Sequence, residues 1–196
     1  MSYNDLVEQN SEGAMKRDTA FNLSVSAMLL AIGYVLPFFT GQIQQIGNML
    51  LPMHFPVMLC GLVCGWKYGL VVGFVMPVTR SIMFGMPALY PNAIGMSFEL
   101  AAYGFVIGLV FSRLKKKGLV SLYLSLISSM VIGRIIWGIS MAALLGIKGA
   151  SFTVSAFVAG AFLNAVPGIV IQLILIPSIM LALDRLGVVK LMKNRE

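Results

Sequence analysis

Three charged side chains interrupt the long apolar runs of this sequence: Arg80, Glu99 and Arg134. A charged group in such surroundings is costly, so it pairs with another charge or lines a solvated cavity. Glu99 could pair with either arginine, and a buried ion pair that only fixes the register of two helices needs no ligand. Because these runs contain one acid for two arginines, one guanidinium needs another acceptor, which a substrate, a helix C-terminus or a backbone carbonyl can provide.

Polar and aromatic side chains at a similar depth extend this set of candidate residues. They are Tyr90, Asn92, Trp137, Asn164 and Gln172. A few amide groups among apolar side chains are typical of sites for small, partly aromatic molecules. Tyr90 fits a belt at the membrane interface equally well, whereas the deeper Trp137 favours stacking on a ligand. We therefore predict a substrate site built from Arg80, Asn92, Glu99, Arg134, Trp137 and Asn164.

The residues needed for enzyme chemistry are scarce. A metalloprotease or a b-type cytochrome needs several histidine ligands, and the chain has one, His54, which we expect to lie at the interface or to cap a loop. Cys60 and Cys64 have the spacing of two metal ligands, but no second ligand pair accompanies them, so we expect a packed apolar pair. The sequence contains neither a P-loop nor a glycine-rich dinucleotide fingerprint. We predict no catalytic residue, no metal site and no cofactor.

The elements that position these residues follow from composition. Hydrophobic residues make up 59% of 196 positions and charged residues 11%, whereas about a quarter of the residues in a soluble domain are charged. Apolar runs long enough to cross about 30 Å of hydrocarbon occupy 19–39, 49–66, 68–89, 93–112, 118–147 and 152–183. We predict a single all-α membrane domain over 1–196 with six transmembrane helices, in which 1–18 is a polar cytoplasmic segment. The first run follows that polar segment and is longer than the apolar part of a signal peptide, so we expect it to be retained.

The basic residues predict the orientation of these helices. They cluster at alternate helix ends, at Lys16, Arg17, Lys67, Arg113, Lys115, Lys116, Lys117, Arg185, Lys190, Lys193 and Arg195. The connections at the opposite helix ends contain a single basic residue, Lys148. Because positive charge favours the cytoplasmic side, both termini are predicted to be cytoplasmic, N-in and C-in. The net charge of +7 is thereby explained without a nucleic-acid partner.

Two further features point to interactions rather than chemistry. Ala27 and Ala31 are small and four residues apart, so they share one face of a helix and allow another membrane helix to approach closely. We expect this face to dock against a partner. The connections near 40–53 and 86–92 are rich in glycine and proline and lie on the outer side in the predicted topology. They could act as lids over a site or simply connect helices.

The order of three short motifs adds a family resemblance. Ala27 and Ala31 are similar to an Ala-x-x-x-Ala motif in a first helix, and segment 51–57 (Leu-Pro-Met-His-Phe-Pro-Val) enters the second helix. Segment 64–69 (Cys-Gly-Trp-Lys-Tyr-Gly) resembles a Gly-Pro-Lys-x-Gly turn, with Trp66 in place of proline. The whole chain resembles the S component, the substrate-binding subunit, of an energy-coupling factor (ECF) vitamin transporter.

The resemblance implies a function. Such a subunit binds a vitamin or its precursor from outside, then joins a transmembrane coupling protein and two cytoplasmic ATPases in the plasma membrane of a prokaryote. Ala27 and Ala31 would contact the coupling protein, and the outer connections would close over the site. Few acids and a surplus arginine disfavour a polycation and are compatible with a flavin, pantothenate or a nucleoside-like cobalamin precursor.

The residues themselves are compatible with two other functions. In a self-contained secondary transporter of a small organic anion, Arg80, Glu99 and Arg134 would serve a proton or anion path, although the sequence shows no clear three-plus-three repeat. In a structural membrane subunit without a ligand, the buried charges would only pair with one another. A tightly retained small molecule would favour the binding subunit over both.

Overall fold

The computed structural model describes residues 3–40, 49–115, 118–150, 152–187 and 189, and these residues are helical almost throughout. We number the helices α1 (Tyr3–Val35), α2 (His54–Val63), α3 (Trp66–Phe84), α4 (Ile94–Arg113), α5 (Leu119–Ile147), α6 (Val154–Val158) and α7 (Val166–Arg185). Single turns of tighter or wider helix occupy Leu36–Thr40, Leu89–Ala93 and Ala159–Leu163. The described part of the chain contains no strand, which confirms the predicted all-α class.

Four stretches of the described chain are long and apolar enough to cross a bilayer. They are Asp18–Phe39, Leu89–Arg113, Leu119–Ile147 and Val154–Arg185. Each coincides with one of the six predicted runs. Helix α2 has ten residues, and α3 has 19 but carries Lys67 and Arg80, which lower its hydropathy. The protein is therefore an apolar helical bundle with four candidate spans, and the six-span count and the orientation stay predictions.

Helix α4 lies at the centre of the bundle, against α2, α3 and α5. Glycines let its backbone touch the neighbouring helices. A Cβ added to Gly104 would lie 2.2 Å from the Gly69 carbonyl oxygen, and one added to Gly73 would lie 2.3 Å from that of Leu100. Small residues at helix crossings are the usual means of close packing in membranes. This packing places Glu99, one turn into α4, among three other helices.

The last two predicted runs differ in continuity. Helix α5 continues without a break for 29 residues, about 43 Å at the usual rise. The run 152–183 is instead divided between α6 and α7. The Thr153 hydroxyl accepts a hydrogen bond from the Ala156 N–H and starts α6, and Pro167 lies in the first turn of α7. Asn164 falls in the irregular backbone between the two helices.

Candidate functional site

A cavity of about 120 Å³ lies where α2, α4 and α5 meet the irregular segments around residues 86–93 and 159–165. Its lining residues are Leu51, His54, Pro87, Asn92, Met96, Glu99, Arg134, Trp137, Gly160 and Asn164. Five of the six residues predicted for a substrate site therefore lie around one cavity. The sixth, Arg80, is not among the described residues that line it.

Glu99 is the centre of a buried charged cluster in the wall of this cavity. Its Oε1 atom lies 2.9 Å from Arg134 Nη1 and 3.2 Å from His54 Nε2. The three side chains are at most 5% exposed. Of the two ion pairs that the sequence left open, the structure has the one with Arg134, because α4 packs Glu99 toward α5.

His54 is the member of this cluster that was not predicted from the sequence as a site residue. It is 1% exposed and its ring meets the Tyr103 ring edge-on, with centroids 5.1 Å apart. The expectation that His54 lies at the interface or caps a loop is therefore wrong. One signal could have found it: the only histidine of the chain begins a helix within an otherwise apolar segment, where a polar ring needs a buried partner.

The cluster has hydrogen-bonding capacity that its own members do not use. Within the described residues, Arg134 Nε and Nη2, both ring nitrogens of His54 and Glu99 Oε1 are buried without a hydrogen-bond partner, so the close contacts of the cluster are ion-pair contacts and not aligned hydrogen bonds. A buried polar atom left unpaired costs about 1–3 kcal/mol. An ion pair that served only to fix helix register would be expected to satisfy its donors more fully. These atoms are therefore the most favourable points for a polar ligand to bind.

Trp137 forms an aromatic wall on another side of the cavity. Its ring stacks near Phe157, with centroids 6.3 Å apart and planes 27° apart, and meets Phe152 edge-on at 5.9 Å. Gly160 permits the close approach of the indole, since an added Cβ would lie 2.7 Å from it. Packing on these residues holds the ring in place while it also lines the cavity. A fixed indole is suited to stacking on a flat ligand.

The two amides come from irregular backbone on either side of the cavity. Asn92 lies in the turn Leu89–Ala93 that precedes α4, and Asn164 follows the turn Ala159–Leu163. Asn164 is exposed, so it marks an open side of the cavity. Gln172 is buried in α7 and its Nε2 has no hydrogen-bond partner within the described residues, but it is not among the residues that line the cavity.

Arg80 has a separate set of contacts in the last turn of α3. Its Nη1 donates a hydrogen bond to the carbonyl oxygen of Met86. Its guanidinium carbon lies 5.4 Å from the centre of the Phe38 ring and 5.5 Å from that of Phe84. Of the three acceptors considered from the sequence for the second arginine, the structure therefore provides a backbone carbonyl, supplemented by two aromatic faces.

Tyr90 is directed to the end of α5 and is not among the residues that line the cavity. Its hydroxyl donates to the carbonyl oxygen of Leu144, and Lys148 Nζ lies 4.5 Å above its ring. The connection 86–92 is thereby attached to the helix that carries Arg134. Most of the other predicted outer connection, residues 41–48, lies outside the described residues, as do Lys116 and Lys117.

The predicted docking residues lie on an open face of α1. Ala27 and Ala31 are both exposed, and so are the neighbouring apolar side chains Phe21, Leu23, Met28, Ile32 and Val35. The two cysteines face the interior instead: Cys60 and Cys64 are buried, and Cys60 Sγ donates to Ser26 Oγ at 3.4 Å. The described residues contain no group of three or more potential metal ligands.

Comparison with known proteins identifies the family. No curated protein and no solved structure gives a significant match. The profile of the family described as "ECF transporter, substrate-specific component" matches residues 21–180, which include the whole cavity and both alanines of α1. Because this match covers most of the 196 residues, the chain belongs to the substrate-specific components of ECF transporters, which are substrate-binding transport subunits and not enzymes.

Proposed function

We propose that this protein captures a vitamin or vitamin precursor from outside the cell and delivers it inward together with a transmembrane coupling protein and two cytoplasmic ATPases. The observation that carries the proposal is the cavity in which the Glu99–Arg134–His54 cluster, two amides and a fixed indole converge. Membership of the substrate-specific components supports it. On this proposal the subunit resides in the plasma membrane of a prokaryote, and ATP hydrolysis takes place in its partners.

The charges of the cluster favour a particular kind of substrate group. Arg134 and Glu99 offset one another, and Arg80 is engaged with Met86 and two phenylalanine rings. The unpaired arginine that was predicted for the site from the sequence is therefore absent from the described cavity wall. An uncharged group with both donors and acceptors suits such a wall better than a free carboxylate does. This favours a flavin or a nucleoside-like cobalamin precursor over pantothenate.

Trp137 and the size of the cavity also favour a flat ring as the bound group. A heteroaromatic ring can stack on the indole while its polar edge meets Arg134 and Glu99. The volume of about 120 Å³ is below the roughly 300–1,000 Å³ typical of sites for drug-sized ligands. In this conformation the cavity accommodates one ring, and the rest of a larger substrate would extend past the exposed Asn164.

The open face of α1 supports the second half of the proposal. Ala27 and Ala31 present little bulk, so a helix of the coupling protein could pack directly on the α1 backbone. This face belongs to α1, which contributes none of the described residues that line the cavity. Binding of substrate and docking of the partner would then use different parts of the molecule.

Native mass spectrometry of the purified protein is the experiment that tests this function. The expected result is one retained small molecule of heteroaromatic character, released on unfolding and bound at one molecule per chain. Proteoliposomes containing the chain alone should not accumulate this molecule, and addition of the coupling protein with both ATPases and ATP should produce uptake. Transport by the chain alone would instead identify a secondary transporter, and the absence of any ligand would favour a structural subunit.

A further inference from the structure

Residues 86–92, here called the strap, form one wall of the cavity and are held at both ends. At one end the Met86 carbonyl accepts a hydrogen bond from Arg80, and at the other the Tyr90 hydroxyl donates to Leu144. Pro87 and Asn92 of the strap line the cavity. The position of the strap therefore determines whether the cavity is closed on this side.

Arg80 connects the strap to two other parts of the bundle. Its guanidinium lies against Phe84 at the end of α3 and against Phe38 in the turn that follows α1. These two rings meet edge-on with centroids 5.2 Å apart. The arginine is 2% exposed, so its hydrogen bond to Met86 is made in surroundings that screen it weakly. One buried cation thus joins the strap, α3 and the end of α1.

We propose that Arg80 is a positioning residue that holds the strap over the cavity and thereby sets how often the cavity opens, without touching the substrate. The proposal rests on the function proposed above only in treating the cavity as the substrate site. A charge-assisted hydrogen bond to a carbonyl is strong enough that its loss should raise the open population about tenfold or more. The Tyr90 contact would keep the far end of the strap in place.

Reaction of a cysteine inside the cavity measures this opening directly. In a Cys60→Ala, Cys64→Ala background, Met96→Cys places one thiol in the cavity wall on α4, outside the strap itself. The probe is the methanethiosulfonate ethyltrimethylammonium cation, applied to detergent-purified protein from which any retained small molecule has been removed, so that the rate reports the strap and not the occupancy of the cavity. Ala150→Cys places a thiol at an exposed position after α5, and its reaction rate reports any change in thiol reactivity that does not depend on opening of the cavity.

We expect Arg80→Met to raise the reaction rate of the Met96→Cys thiol about tenfold or more and to leave that of the Ala150→Cys thiol unchanged. Arg80→Lys keeps a cation and a donor near Met86, so it should restore most of the slow rate. The matched control is Arg113→Met, the same change at an exposed position at the far end of α4, which should have no effect. If Arg80→Met is not monodisperse, Arg80→Leu, which also lacks a donor, replaces it.

The outcomes separate this role from the alternatives. An unchanged rate in a folded Arg80→Met protein overturns the proposal. Loss of the retained small molecule at an unchanged rate overturns it as well and makes Arg80 a direct ligand contact, as the sequence analysis predicted. A faster rate with Arg80→Met, combined with absence of any retained ligand in the unmodified protein, would confirm the strap contact and remove the proposed transport function.

Discussion

Arg134 and Glu99 belong to neighbouring helices, α5 and α4, and their Nη1 and Oε1 atoms lie 2.9 Å apart in the wall of the cavity. His54, from a third helix, approaches the same oxygen atom at 3.2 Å. A single carboxylate therefore holds three helices together at the point where polar groups converge. Any ligand that binds Arg134 competes with, or adds to, a contact that also stabilises the fold.

Replacement of Arg134 by methionine should weaken ligand binding by about 2 kcal/mol or more, because a charged donor to the ligand is lost. The same change leaves Glu99 without its cation and should cost about 3–5 kcal/mol of folding stability. The double variant Arg134→Met, Glu99→Gln separates the two effects, since it should recover stability and not affinity. Calorimetry with the released ligand and thermal unfolding measure them. An affinity equal to that of the unmodified protein would move the site outward toward Asn92.

Replacement of His54 by phenylalanine preserves a ring against Tyr103 and removes the contact with Glu99. If His54 orients the carboxylate, affinity should fall about tenfold while the helical bundle remains folded, since one polar contact is worth about 1–2 kcal/mol. Glutamine at the same position keeps a polar group beside Glu99 and should retain more affinity than phenylalanine. Equal affinities for the two variants would show that His54 serves packing alone.

The two tryptophans of the chain offer a matched pair for testing the aromatic wall. Trp137→Leu should weaken binding about threefold to tenfold, the worth of one aromatic stacking contact. Trp66→Leu removes the other indole, which packs edge-on against Phe105 outside the cavity, and should leave affinity unchanged. Quenching of tryptophan fluorescence by the ligand should disappear in Trp137→Leu and persist in Trp66→Leu. The reverse pattern would place the ligand elsewhere.

Replacement of Ala27 and Ala31 together by tryptophan should abolish uptake and leave ligand affinity nearly unchanged, because bulk on this face blocks close helix approach outside the cavity. Co-purification with the coupling protein and uptake by proteoliposomes measure docking, and calorimetry measures binding. The control is Ile127→Trp with Val131→Trp, two half-exposed positions four apart on α5. If docking survives in the variant with Trp at positions 27 and 31 but fails in the α5 control, the partner packs against α5.

The amino-acid sequence by itself determined the class of protein and the candidates for the site. Apolar composition and run length are local properties, and they correctly indicated an all-helical protein of the membrane type and the approximate extents of four candidate spans. Polar residues within apolar runs can also be recognised from the local sequence. Each must find a partner or a cavity in the folded protein, which makes it a candidate for a site. Of the six residues predicted in this way, the structure brings five, Asn92, Glu99, Arg134, Trp137 and Asn164, to one cavity, and Arg80 is not among the described residues that line it.

Only the tertiary structure decided how these groups are paired. Glu99 lies 19 residues from Arg80 and 35 from Arg134 along the chain, and sequence separation says nothing about which guanidinium it meets. The choice depends on how α4 is rotated against α3 and α5. Gly73 and Gly104 bring the backbones of α3 and α4 together, and Gly133 of α5 admits the ring of Tyr103 from α4. The same packing buries His54 beside Glu99 and leaves Arg80 to the Met86 carbonyl. Helix rotation is a collective property of many distant contacts, so no local pattern could specify it.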